Sequence, residues 1–221
     1  MQKHEVRGWI EETGVIAAVR ARTKEDALFA AETLVPSGVP VIEIGLTLSQ
    51  AMAVIALLAK RIPGIVVGAG DVNDAQTAQQ CLDAGAQFLT SDGFDPAVSE
   101  VAARGNVVVL PGALSPTEVL GAWETHSDFV KLFPCVQMGG SAYIKYLRSM
   151  FPHIPLVAAG GVNQRNASEL ILAGAVAVGV GRELVPQDAV RLRQAARISE
   201  LARRFLDFVK SGRAHLAAHV G

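Results

Sequence analysis

Short apolar runs alternate along the chain with longer segments whose apolar residues recur at helical spacing. An amphipathic segment at residues 3–12 comes first, and Gly14 separates it from the apolar run Val15–Val19, which ends at Arg20. Thr23, with Asp26 three residues on, opens a helix that runs through Ala27 to about Leu34, where Pro36-Ser37-Gly38 ends it. Residues 39–44 form the second run; Ser49 then opens a helix over residues 50–61, closed by Pro63-Gly64. The third run, Ile65-Val66-Val67, leads through Gly68-Ala69-Gly70-Asp71 to a helix that starts at Asn73 or Asp74 and ends at Ala84-Gly85. The same pattern predicts strands at residues 87–90, 107–110, 129–133, 156–158 and 176–178. Between them lie helices at residues 95–104, Pro116–Glu124 and 141–150, and one from Asn163 or Asn166 to Ala173. Ser115-Pro116-Thr117-Glu118 is a capping box with proline at the first helical position. A long amphipathic segment, residues 186–210, closes the pattern, with Ile198, Leu201, Phe205 and Phe208 at helical spacing.

Eight buried strands, each followed by a helix, in a chain of 221 residues predict the α/β class and a (β/α)8 TIM barrel. The expected organisation is a single domain over residues 1–221, with a short N-terminal helix and a long C-terminal helical segment. That count and length together point to a compact barrel rather than an open doubly wound sheet. Composition agrees: 50% of residues are hydrophobic but only 5% aromatic, so Ala, Val, Leu and Ile must fill the interior, as in parallel sheets covered on both faces. A formal charge of −1 gives no electrostatic case for nucleic acid or an anionic membrane. Cys81 and Cys135 are too few for a disulfide scaffold or a cysteine-rich metal site. Residues 1–13 lack the apolar core of a signal peptide, and no apolar run is long enough to span a bilayer, so a cytoplasmic location is expected.

In such a barrel the chemistry gathers at the C-terminal strand ends. Those ends read Arg20, Glu43, Asp71, Asp92, Pro111-Gly112, Lys131, Gly160-Gly161 and Gly179-Val180-Gly181. Lys131 interrupts the apolar stretch Phe129-Val130-Lys131-Leu132-Phe133-Pro134. An ammonium in such a run either snorkels to solvent from an exposed strand or faces a polar cavity. In a cavity it is an amine nucleophile for carbonyl carbons. Glu43, on the second strand, lies across the barrel from it, and a carboxylate facing an amine suits imine chemistry and proton transfer. A buried ion pair that only holds the barrel together accounts for the same two residues.

The glycine pairs after the last two strands fit an anion held by backbone N–H groups, or simply tight turns. Gly68-Ala69-Gly70 lacks the third glycine of a dinucleotide fingerprint. His215 and His219 have helical spacing but no third ligand, which argues for a helical tail and against a metal site.

Taken together, Glu43-Ile44, Val67-Gly68-Ala69-Gly70, Gly85-Ala86-Gln87-Phe88, Leu110-Pro111-Gly112, Val130-Lys131-Leu132-Phe133-Pro134 and Ala159-Gly160-Gly161-Val162 resemble, in order and spacing, the KDPG/KHG aldolases. These are class I aldolases of 2-keto-3-deoxy-6-phosphogluconate and 4-hydroxy-2-oxoglutarate, and the resemblance spans residues 14–184. It implies a cofactor-free, metal-independent lyase of carbohydrate metabolism acting on a small keto acid, and a homotrimer. Lys131 would form the Schiff base with pyruvate or the aldol, and Glu43 would be the general acid/base. Gly160, Gly161, Gly179 and Gly181 would receive a phosphate or other anionic tail. The chain departs from the family's pattern around the substrate: Thr47 stands where many members have arginine, Asp71 replaces a threonine, Asp92 a proline, Ala159 a threonine and Arg182 a serine. Arg20 or Arg182 would then supply the missing cation. Two other readings remain at this point: an isomerase or epimerase of the phosphate-binding barrels, and a non-catalytic trimeric barrel.

Overall fold

A computed structural model describes residues 1–220, with side chains to residue 216. Helix α1 (Lys3–Thr13) buries Val6 and Ile10, and the chain reverses at Gly14, in the left-handed region at φ 66°, directly into strand β1 (Val15–Val19). Then follow α2 (Lys24–Leu34), β2 (Val41–Gly45), α3 (Ala51–Arg61), β3 (Val66–Gly70), α4 (Ala75–Asp83), β4 (Phe88–Thr90) and α5 (Pro96–Arg104). The second half holds β5 (Val108–Leu110), β6 (Gly112–Ala113), α6 (Pro116–Glu124), β7 (Val130–Leu132), α7 (Gly140–Met150), β8 (Leu156–Ala159), α8 (Ala167–Leu172), β9 (Ala177–Val180), α9 (Gln187–Arg191) and α10 (Ala195–Val220). Three of the caps are those that the sequence marks, whereas the expected Ser49 cap is not formed: Gln50 precedes α3 and makes no side-chain cap bond. Thr23 Oγ1 accepts from Asp26 N at 3.2 Å, Asp74 Oδ1 from Thr77 N at 2.7 Å, and Ser115 and Glu118 complete a reciprocal capping box.

All strand pairs are parallel, in the order β5-β4-β3-β2-β1-β9-β8-β7-β6. The predicted fifth strand is present as two segments, β5 and β6, because Pro111 between them has no N–H to give to a ladder. Leu110 pairs with Thr90 on one side, and Gly112 with Lys131 on the other. Bonds from Asp128 N to Val109 O (3.1 Å) and from Lys131 N to Pro111 O (2.9 Å) carry the ladder across, closing the ring as a parallel barrel. The long C-terminal segment departs from its expected continuity. It is two helices, α9 and α10, joined through Arg193 at φ 53°.

Two cores follow from the alternation of the strands. Outward-facing Ala17, Ile42, Val67, Leu89, Val130 and Leu132 pack beneath the helices. Inward-facing Ile16, Val41, Val66, Phe88, Val108, Phe129, Val157 and Ala177 fill the lower barrel, and Val6 and Ile10 of α1 plug its floor. Gly68 belongs to this packing: a Cβ there would come 2.5 Å from the Phe88 ring, so the glycine makes room for the larger side chain.

Candidate active site

Two residues further along β2, β4 and β7 the interior becomes polar. The step Val41 to Glu43 keeps the side chain on the inner face of β2, and Phe129 to Lys131 does the same on β7. Ile16, Ala18 and Arg20 follow this rule at β1, as do Phe88 and Thr90 at β4. The result is an open cavity of about 440 Å³ at the C-terminal mouth. It is lined by Arg20, Glu43, Asp71, Asp92, Lys131, Phe133, Ala159, Gly160, Gly161, Gly179, Gly181, Arg182 and Glu183, with Ala18 and Val162. A second cavity, about 340 Å³, lies behind Arg20 between the start of α2 and α9, away from Lys131 and Glu43.

Glu43 is 4% exposed and both its oxygens are engaged. Arg20 Nη2 donates to Oε1 at 2.8 Å and Thr90 Oγ1 to Oε2 at 2.9 Å. Burial pushes this carboxyl up, but the charges of Lys131 and Arg20, together with these hydrogen bonds, outweigh burial and hold it below the usual carboxylate range. Arg20 also donates to Asp71 Oδ1 at 2.9 Å. Burial works against its guanidinium charge, and Glu43 and Asp71 more than restore it. Asp71 moves the other way: burial raises its carboxyl, Arg20 opposes, and the neighbouring Glu43 and Asp92 charges add to the rise. Asp71 sits at φ 66°, in the left-handed region that aspartate tolerates better than most residues. Arg20 Nη1 and Asp71 Oδ2 are buried without a hydrogen-bond partner.

Lys131, also 4% exposed, holds its Nζ 2.7 Å from Asp92 Oδ1 and 5.1 Å from the centre of the Phe133 ring. The turn that carries Asp92 is pinned to the fifth strand: Ser91 Oγ donates to Gly93 O at 2.6 Å, and Gly112 N donates to Gly93 O at 3.0 Å. Three glycines make space for the charged residues of the mouth, two for side chains and one for backbone. A Cβ on Gly70 would collide with the Glu43 carboxylate, one on Gly45 would lie 2.6 Å from Arg20 Cδ, and one on Gly112 would strike the Asp92 backbone. Gly160 and Gly161 are both at φ 80°, and their turn packs against Pro134 and Val136.

Ten of the eleven residues expected at the site line this one cavity: Lys131, Glu43, Arg20, Asp71, Ala159, Gly160, Gly161, Gly179, Gly181 and Arg182. Thr47 does not. Leu46 N bonds to Gly70 O at 3.2 Å, and the turn that follows carries Thr47 out to solvent. Glu43 and Lys131 share the cavity, but the alternative of a buried ion pair between them is not what the structure has, since Glu43 is bonded to Arg20 and Thr90 while Asp92 holds Lys131. Thr90, Phe133 and Glu183 were not singled out from sequence; strand alternation from Phe88 and Lys131 would have found the first two. His215 bonds to Ser211 O within α10, and the side chain of His219 lies outside the described residues. Among the described residues no cluster of His, Cys, Asp and Glu is arranged to hold a metal ion, and no helix is long and apolar enough to cross a membrane.

The KDPG and KHG aldolase family profile matches residues 6–201. The chain belongs to this family of aldolases. It is 30% identical over 200 residues to the 2-dehydro-3-deoxy-phosphogluconate aldolase of Treponema pallidum, covering 90% of this chain and 95% of that protein. To the KHG/KDPG aldolase of Escherichia coli K12 it is 29% identical over 196 residues, covering 89% and 92%. The crystal structure of the KDPG aldolase of Legionella pneumophila, which holds pyruvate as a covalent carbinolamine intermediate, superposes with a TM-score of 0.82 at 28% identity, covering 89% of this chain and 96% of that one. As an aldolase the protein is a carbon–carbon lyase. Its cysteines stand outside that chemistry: Cys135, four residues past Lys131, is buried and its thiol is pushed up to about 11, and burial pushes Cys81 up to about 12.

Proposed function

We propose that this aldolase works through an imine on Lys131 and cleaves a 2-keto-3-deoxy acid to pyruvate and an aldehyde. The observation that carries the reading is a buried lysine at the catalytic end of the barrel, its amine in the cavity and its stem held by the inner face of β7. Asp92, 2.7 Å away, accepts the ammonium proton, and the free amine adds to the keto carbon. The carbinolamine loses water to give a protonated imine. Removal of the C4 hydroxyl proton then lets the C3–C4 bond break; its electron pair moves into the imine to form an enamine, and the aldehyde leaves. Protonation of the enamine at C3 and hydrolysis of the imine release pyruvate and return the amine. Glu43, ionised and pre-oriented by Arg20 and Thr90, moves these protons through a water between it and the substrate. Arg182, exposed at the rim and in no ion pair among the described residues, holds an anionic group of the substrate together with the turns at Gly160, Gly161 and Gly179–Gly181. Asp71 and Ala159 complete the wall. The protein acts in the cytoplasm, in carbohydrate metabolism, as a homotrimer; light scattering on the purified chain checks the assembly.

Borohydride reduction in the presence of pyruvate tests the mechanism. A pyruvyl adduct on Lys131, found by peptide mass mapping, is the expected result, and an unmodified Lys131 in active protein overturns it.

A further inference from the structure

One nitrogen serves two carboxylates at the mouth. Arg20 Nη2 donates to Glu43 Oε1 at 2.8 Å and to Asp71 Oδ1 at 2.9 Å, so its two hydrogens are divided between them. Its neighbour Nη1 is buried without a partner over Gly45, where a Cβ would lie 2.7 Å from it. Arg20 follows β1, Asp71 follows β3, and Glu43 lies on β2 between them. The other charges that act on both carboxyls are Lys131, from β7, and Asp92, from the turn after β4, and these two are bonded to each other. Arg182 and Glu183, after β9, complete the charged lining of the cavity. With Lys131 and Asp92 offsetting one another, Arg20 stands alone between Glu43 and Asp71, and this inner set carries an excess negative charge when every member is ionised. Such an excess favours uptake of a proton by Glu43, the step a base must perform. Burial raises the Asp71 carboxyl, Arg20 opposes, and the Glu43 charge adds to the rise, as expected of two carboxylates that share one cation.

On the aldolase reading given above, we infer that Asp71 is a positioning residue for proton transfer: through Arg20 it draws part of the cation away from Glu43 and keeps that carboxylate a stronger base. An uncharged side chain at this position, such as the threonine of the family's pattern, would leave the Arg20 charge wholly to Glu43.

Exchange of the pyruvate methyl protons with deuterium oxide, followed by NMR from about pH 3 to 7, reads the Glu43 step without an aldehyde partner. Borohydride labelling of Lys131 with pyruvate is run on the same proteins. Asp71→Asn keeps an oxygen that accepts from Arg20 and suits the left-handed backbone, but it removes the charge. In this variant the acid limb of the exchange rate is expected to move down by about 0.5–1 pH unit and the plateau to fall about two- to threefold, with Lys131 still labelled. Arg20→Gln is expected to move the acid limb up instead. A merely structural role would lower the rate in both variants without moving the two limbs in opposite directions. Labelling of the wild-type protein without methyl exchange, an acid limb in Asp71→Asn that stays or rises, loss of labelling in that variant alone, or an Arg20→Gln limb that does not rise overturns this inference and leaves the imine mechanism standing. Absence of labelling in the wild-type protein removes the imine mechanism itself.

Discussion

The lower and upper halves of the barrel interior are built from the same strands, two residues apart, and obey opposite rules. Below, Val41, Phe88, Phe129 and Val157 form a dry core closed by α1, and any polar atom there would lose water with nothing to replace it. Above, Glu43, Thr90 and Lys131 occupy the next inward positions, each with a hydrogen-bond partner. Burial is nearly the same in both layers, since Phe129 is 0% and Lys131 4% exposed. The layers therefore differ in pairing, with access to the open mouth following from position. Stability is concentrated in the floor, whose shape tolerates little change, and chemistry in the mouth, where buried charge is kept by Arg20, Asp92 and Thr90.

Substitutions that separate these layers sharpen the contrast. Lys131→Ala removes the nucleophile, and turnover should fall by about 10³-fold or more while circular dichroism still shows a folded barrel. Phe129→Ala, two residues earlier, should instead cost about 3–5 kcal/mol in denaturant unfolding, because the ring is fully buried against a floor that cannot collapse around the void. If the two variants lost activity and stability in the same proportion, the division into layers would fail. Glu43→Gln keeps the shape and should lower kcat by about 10²-fold. It should also flatten the acid limb of stability. Because the folded carboxyl sits below its ordinary value, its contribution is full above the usual carboxylate range and is lost as pH falls through the folded value. Thermal melts of wild type and variant across pH 3–7 should therefore converge at the acid end (about this window for a carboxylate). Gly70→Ala pushes a methyl group into the Glu43 carboxylate, and a loss of about tenfold in kcat is expected with a smaller change in melting temperature. The smallest effect belongs to the cysteines. With thiols raised to about 11 and about 12, Cys135 and Cys81 should resist alkylation at neutral pH in the folded protein, and activity should survive iodoacetamide unchanged.

Much of the fold was legible because each βα unit declares itself locally. The Ser115 capping box, the Thr23 cap and the apolar runs bounded by glycine and proline each specify an element without reference to the rest of the chain. The mouth was legible for a related reason: a charge that ends an apolar strand has few places to go in a closed barrel. Thr47 misled because a side chain just past a strand end is placed by its turn, and the bond from Leu46 N to Gly70 O sends this turn outward. Pro111 was visible, yet its division of the fifth strand depends on how both neighbouring strands pair with the residues around it.

By itself the sequence determined which residues could be strand, helix or mouth, since hydrophobic periodicity and caps act over a few residues. It also placed lysine, glutamate and two aspartates at strand ends. Which carboxylate meets which cation was decided only by the tertiary structure. Closing the ring brings Asp92 of one strand end to Lys131 of another, 39 positions away, and Arg20 between Glu43 and Asp71. Distances of a few ångströms between strands set these pairings, and the strength of a charge pair depends steeply on both distance and burial.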